Sequence, residues 1–124
     1  MDITPLIPAD RQVIDGYGEG QFCIRSEWRA GPVIVFPDRT IPWDVTDFAD
    51  LTVESFAAVR DAEPKVEILL LGSGPKMQLL PSVLRRDLRA AGIVVDVMDT
   101  GAACRTYNVL LAEGRRVAAA LLPV

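Results

Sequence analysis

Between Val66 and Met98 two apolar runs flank a helix pattern, and that order leaves the chain few folds to adopt. Val66-Glu67-Ile68-Leu69-Leu70-Leu71 is nearly continuous in apolar residues, as expected of a strand covered on both sheet faces. Gly72-Ser73-Gly74-Pro75 breaks it. Leu80, Leu84, Leu88 and Ala91 then recur at spacings of 4, 4 and 3. They mark one face of a helix, with Pro81 in its first turn and Gly92 as its stop. Ile93-Val94-Val95-Asp96-Val97-Met98 is a further strand. Strand, helix and strand of this length make a right-handed βαβ unit. The chain is therefore read as α/β.

The remaining segments extend that unit. Asp96 puts a charge in an otherwise apolar strand, which points to an edge position or one wet face. A third helix is expected from Thr100 or Gly101 to about Glu113, with Gly114 ending it and Ala103, Tyr107, Leu110 and Leu111 turned inward. Val117-Ala118-Ala119-Ala120-Leu121-Leu122 reads as a last strand, its alanines suited to a place where helices approach the sheet closely. Upstream, Gln21–Arg25 alternates and Pro32–Pro37 is a short apolar run between prolines, so the first third is read as β structure. Gly16-Tyr17-Gly18-Glu19-Gly20 is read as a turn between strands, because a nucleotide loop would need a helix after it. Thr52 is a plausible N-cap for a helix through Val53, Phe56, Ala57 and Val59 that stops before Pro64. Trp43 is read as a packing anchor and Asp44 as a turn residue.

At 124 residues the chain suits one domain, 1–124, with residues 1–10 expected to be loosely ordered. Half the residues are apolar and the mean hydropathy is +0.25. That is high enough to leave room for self-association as a homo-oligomer. No run is long enough to span a membrane, and the N-terminus resembles neither a secretory signal nor a mitochondrial presequence, so a cytoplasmic protein is expected. A net charge of −4 argues against nucleic acid as a partner. Arg85, Arg86 and Arg89 are read as a solvated helix face. The chain has no histidine, and Cys23 and Cys104 have no metal-ligand spacing. No metal or cofactor is expected, and Ser-His or Cys-His nucleophile activation is excluded.

Chemistry is most concentrated where the second strand of the unit ends. If the two strands are parallel, the loops Gly72-Ser73-Gly74 and Asp99-Thr100-Gly101 meet at one sheet edge. Amide groups at two helix starts would face that edge, an arrangement suited to an anion, unless the glycines simply turn and Asp99 or Thr100 simply caps. Cys104 lies early in the third helix, where the dipole and Arg105 would lower its pKa, unless it is a small buried filler. Arg105 suits a carboxylate or phosphate, or an internal pair with Asp99. Tyr107 reads as a core aromatic with a partnered hydroxyl. Asn108 is disfavoured inside a helix and implies a specific hydrogen bond.

Gly72-Ser73-Gly74, then Val97-Met98-Asp99-Thr100 through Ala103-Cys104-Arg105-Thr106-Tyr107-Asn108-Val109-Leu110, then Glu113-Gly114-Arg115-Arg116 through Leu121 resemble a small domain family of unknown function. It is found in bacteria and archaea and is related to the mitochondrial complex I assembly factor three of eukaryotes. The Gly16–Gly20 turn, Phe36-Pro37 and Trp43 fit the resemblance as well. It implies a three-layer α/β domain with a mixed central β-sheet, about three helices and additional N-terminal β structure. It carries no established catalytic residue. It does imply a protein partner, such as a respiratory-complex subunit or assembly factor. With no general base in view, a non-catalytic interaction or assembly module is the preferred reading. The alternative is an anionic-ligand binding protein or enzyme using the sheet-edge loops with Arg105, Asn108 and Cys104.

Overall fold

The computed structural model describes residues 10–124; residues 1–9, most of the segment expected to be loosely ordered, lie outside it. Two sheets form. The smaller is an antiparallel meander of β1 (Ile14–Gly18), β2 (Gln21–Ile24) and β3 (Glu27–Ala30). The larger contains β4 (Val33–Phe36), β5 (Arg39–Pro42), β6 (Ile68–Gly72), β7 (Val95–Met98) and β8 (Val117–Leu121), in the order β5-β4-β8-β6-β7. β6 is parallel to both β7 and β8, whereas β4 is antiparallel to β8 and β5, so the sheet is mixed.

The parallel pair required by the βαβ pattern is present, joined by α2 (Ser82–Ala90), which begins just after Pro81. Asp96 is exposed on β7 at the sheet edge, where water solvates its charge. The glycine-rich segment near the N-terminus is a narrower turn than expected. Gly16 and Gly18 belong to β1, and only Glu19 and Gly20 turn, both with positive φ. Two such residues in a row make the type of turn whose twist matches its flanking strands. The helix expected after Thr52 is a 3-10 turn, Val53–Phe56, that runs into the short α1 (Ala57–Arg60).

Alternation along the strands divides the core into two. Ile34, Phe36, Leu69, Leu71, Ala118 and Ala120 face one way, toward Trp43, Phe56, Val59 and Leu88. Val33, Val35, Leu70, Val117, Ala119 and Leu121 face the other, toward α3 (Thr100–Ala112) and the small sheet's Ile14, Phe22 and Ile24. The result is three layers: α1 and α2, the mixed sheet, and α3 beside the meander. The alanines of β8 lie in the central strand with no exposed surface, and Ala119 shares a buried cluster with Ala103 and Tyr107 of α3.

Candidate functional site

The loops after β6 and β7 do meet. The Ser73 N–H donates to the Met98 carbonyl (2.9 Å), and the Thr100 N–H donates to the Gly74 carbonyl (2.9 Å). The Gly74 N–H donates to Thr100 Oγ1 (2.9 Å), whose hydroxyl donates to the Leu122 carbonyl (2.7 Å). The Leu122 N–H donates in turn to the Gly72 carbonyl (3.0 Å). Thr100 thus pins the start of α3 to both β6 and the end of β8, with no exposed surface of its own. Gly72 makes this approach possible. A Cβ there would stand 2.9 Å from Leu121 Cδ2 and 3.0 Å from the Thr100 backbone.

At this edge the loop turns and Asp99 caps, which is the alternative to an outward-facing anion site, and the bonded donors are used internally. Asp99 holds an extended N-cap conformation and its carboxylate accepts the Ala102 N–H (3.1 Å). The Ala103 N–H goes to the Asp99 carbonyl (3.0 Å). The Ser73 hydroxyl donates to the Lys76 carbonyl (2.7 Å) and accepts the Gln78 N–H (3.1 Å). The second helix dipole is displaced as well. Between Gly74 and the start of α2 the chain runs irregularly through Pro75–Pro81, so only α3 begins at this edge.

The side chains of α3 diverge. Asn108, half-buried, mimics a strand neighbour: its amide donates to the Ile14 carbonyl (2.8 Å) and accepts the Ile14 N–H (3.0 Å). This is the specific bond its helical position implied, and it ties β1 to α3. Cys104 points into the core and is 2 % exposed. Burial pushes its thiol pKa up to about 12; Arg105 opposes that shift and Asp99 adds to it. Of the two readings of Cys104, the small buried filler is the one the structure follows, and desolvation outweighs the lowering that the helix start and Arg105 would give. Tyr107 is fully buried too, and its phenol is also held above its usual range by burial. Its hydroxyl has no hydrogen-bond partner among the described residues, contrary to the partner expected for it.

Arg105 alone of these turns to solvent, and its partner is not Asp99. Its Nη1 donates to the Tyr17 hydroxyl of β1 (3.2 Å). The same phenol lies directly against Gly101, where a Cβ would collide with it. Sequence reading passed over Tyr17, because the contact spans 88 positions; the glycine at the second position of α3 was its one local sign. Tyr17 is 37 % exposed, Val109 on the next turn from Arg105 57 %, and Trp28 60 %. Trp28 lies on the other face of the meander, packed over Gly16.

Among the described residues no helix is long and apolar enough to cross a membrane, and no group of three or more Cys, Asp or Glu is placed to hold a metal ion.

Residues 14–122 match the model of a protein family of unknown function, DUF498/DUF598. An uncharacterised protein of Rhodobacter capsulatus is 43 % identical over 111 residues, covering 90 % of this chain and 84 % of that protein. The bovine NADH dehydrogenase [ubiquinone] 1 alpha subcomplex assembly factor 3 is 37 % identical over 110 residues, covering 89 % of this chain. The aligned part spans 60 % of the bovine protein's length. Among solved structures, a crystal structure of a Bordetella parapertussis protein is similar with a TM-score of 0.83 at 37 % identity, covering 92 % of this chain and 97 % of that one.

Proposed function

Because the chain belongs to the DUF498/DUF598 family of proteins of unknown function, its relatives bear on its role, and we propose that it is a protein-interaction module serving respiratory-complex assembly. The observation that carries this reading is the 37 % identity, along 110 residues, to a protein named as an assembly factor of NADH dehydrogenase. The chain works as one domain in the cytoplasm, and its partner is a subunit of such a complex or a second assembly protein.

Three features of the site support a binding role over a chemical one. Ser73, Asp99, Thr100 and Asn108 use their polar atoms to hold the fold together. Cys104 is buried with its thiol pKa raised, so it is not a ready nucleophile. Tyr17 and Arg105 leave an aromatic and a guanidinium at the surface beside exposed Val109. Tyr and Arg are residue types that dominate binding energy at protein interfaces. The patch joins β1 to α3, whose start the Thr100 hydrogen bonds tie to β6 and the end of β8.

The test is made in cells whose own copy of the chain is removed. Assembled NADH dehydrogenase, read on native gels, falls on removal and returns with the wild-type chain. A Tyr17→Ala, Arg105→Ala double variant with unchanged melting temperature restores less. Normal levels of the complex without the chain would overturn the assembly role. Full rescue by the double variant would overturn the assignment of the patch.

A further inference from the structure

The two outer strands of the meander are not equivalent. β1 has its free side occupied at Ile14, where the Asn108 amide takes the place of a neighbouring strand. β3 has β2 on one side and, among the described residues, no strand on the other. The register shows where its free backbone groups point. Arg25 and Ser26, both with positive φ, form a two-residue turn, so Ile24 and Glu27 make the first hydrogen-bonded pair of the hairpin. Bonded and non-bonded pairs then alternate, which makes Phe22–Arg29 a bonded pair and Cys23–Trp28 a non-bonded one. The Gly31 N–H, which donates to the Gly20 carbonyl (3.0 Å), continues that alternation. The N–H and C=O of Trp28 therefore point away from β2, toward the open edge.

Open edges are normally blunted, and those of the larger sheet are. β5 carries Arg39 and ends in Pro42, which has no N–H to offer, and β7 carries the exposed Asp96. β3 reads Glu27-Trp28-Arg29-Ala30, exposed except for the half-buried Arg29. Trp28 is 60 % exposed on one face, and Glu27 and Arg29 stand on the other. That order is self-complementary. Antiparallel pairing with a second copy, centred on Trp28, sets each Glu27 directly opposite the other copy's Arg29 and each Trp28 opposite its own image. A slip of the two-fold axis onto Glu27 or Arg29 would instead set like charges opposite each other, which is unfavourable.

We propose that β3 pairs antiparallel with β3 of a second copy, giving a two-fold dimer in which the two meanders form one sheet. The Trp28 N–H and C=O of each copy bond to those of the other, with the indoles opposite one another on one face. Two Glu27–Arg29 pairs close the other face, as two-fold symmetry requires. Arg29 spends one donor on the Thr40 carbonyl (3.3 Å) and keeps the rest of its guanidinium for the carboxylate. A contact along one short strand is small, so the dimer is weak and depends on protein concentration. β1, with Tyr17, is the far edge of the meander, so the patch proposed to meet an assembly partner stays open in the dimer.

Sedimentation equilibrium of the full chain, from micromolar to millimolar protein, tests this with charge variants. The wild type should pass from monomer to dimer across that range. Glu27→Arg or Arg29→Glu sets like charges opposite each other twice in the contact and should weaken dimerisation about tenfold. An equimolar mixture of the two variants restores opposite charges at both places and should dimerise as the wild type does. Arg89→Glu, on α2, should change nothing. A wild type that stays monomeric at millimolar concentration would leave the edge to a different chain and overturn the proposal. So would single variants that dimerise like the wild type, or a mixture of folded variants that does not dimerise. If Arg29→Glu does not fold, Glu27→Arg and the wild-type Trp28 amide decide. Hydrogen exchange at that amide should slow as concentration rises, and an unchanged rate would refute the pairing. None of these results bears on the level of assembled NADH dehydrogenase, which tests the assembly role.

Discussion

Replacing Thr100 by valine keeps the side chain's shape and removes only its hydroxyl, yet it should be one of the most damaging single changes in the chain. The hydroxyl donates to the Leu122 carbonyl at 2.7 Å and accepts the Gly74 N–H at 2.9 Å, with the threonine fully buried. Valine leaves both backbone groups without partners in a place water does not reach. Each such orphan costs about 1–3 kcal/mol, so Thr100→Val should lose about 2–5 kcal/mol. Thr100→Ser has the opposite character: it keeps both hydrogen bonds and loses one buried methyl, worth about 1 kcal/mol. Urea unfolding of the two variants separates these accounts, because a change in midpoint at constant slope reports stability directly. The expected order is wild type, then serine, then valine, with valine clearly the worst. If valine lay within about 1 kcal/mol of wild type, or serine proved the more harmful, Thr100 would be a space-filler and the lock on α3 would be wrong.

The other expectations concern the same helix. Gly72→Ala puts a Cβ 3.0 Å from the Thr100 backbone and 2.9 Å from Leu121, and should cost about 1–3 kcal/mol as overpacking; a neutral urea midpoint would contradict the close approach. Asn108→Leu removes both bonds to the Ile14 backbone, a loss of about 1–3 kcal/mol. Hydrogen exchange should quicken at β1 before β6, and uniform quickening would count against the tie. Cys104 should not react with a thiol reagent at neutral pH in the folded protein. Its proton is held to about pH 12 in the folded state against an ordinary 9. The unfolded chain therefore ionises first, and stability falls as pH rises above 9, by about 1.4 kcal/mol per unit from this group. The stability gap between wild type and Cys104→Ala should shift by that slope between pH 9 and 11; a parallel pair of curves would refute the burial argument.

Much of the α/β half was legible because its signals are local. The apolar run at Leu69–Leu71, the helical spacing of Leu84 and Leu88, and Gly114 after α3 each act within a few residues. The meander was harder to read. β3 carries an exposed Trp28, and β1 contains two glycines, so neither presents the clean alternation that marks a half-buried strand. The coming together of the β6 and β7 loops followed from parallel pairing alone. What happens there did not, since Thr100 bonds to Leu122 across 22 positions and Arg105 to Tyr17 across 88. Cys104 left two readings open for a related reason: its place near a helix start is local information, while the burial that dominates its pKa comes from sheet residues far away in the chain. The cavity lined by Arg11, Arg39, Arg115 and Arg116 is assembled from four separate regions of the chain and has no sequence signature.

The claim that the Arg105 face meets a partner is tested most directly by placing a photo-crosslinking residue at position 105 in living cells and identifying the adducts by mass spectrometry. Position 89 serves as the control, because Arg89 is exposed on α2 in the opposite layer. The expected result is an adduct with a respiratory-complex subunit or assembly protein from position 105 and not from position 89. No adduct at 105, or the same adducts from both positions, would contradict it.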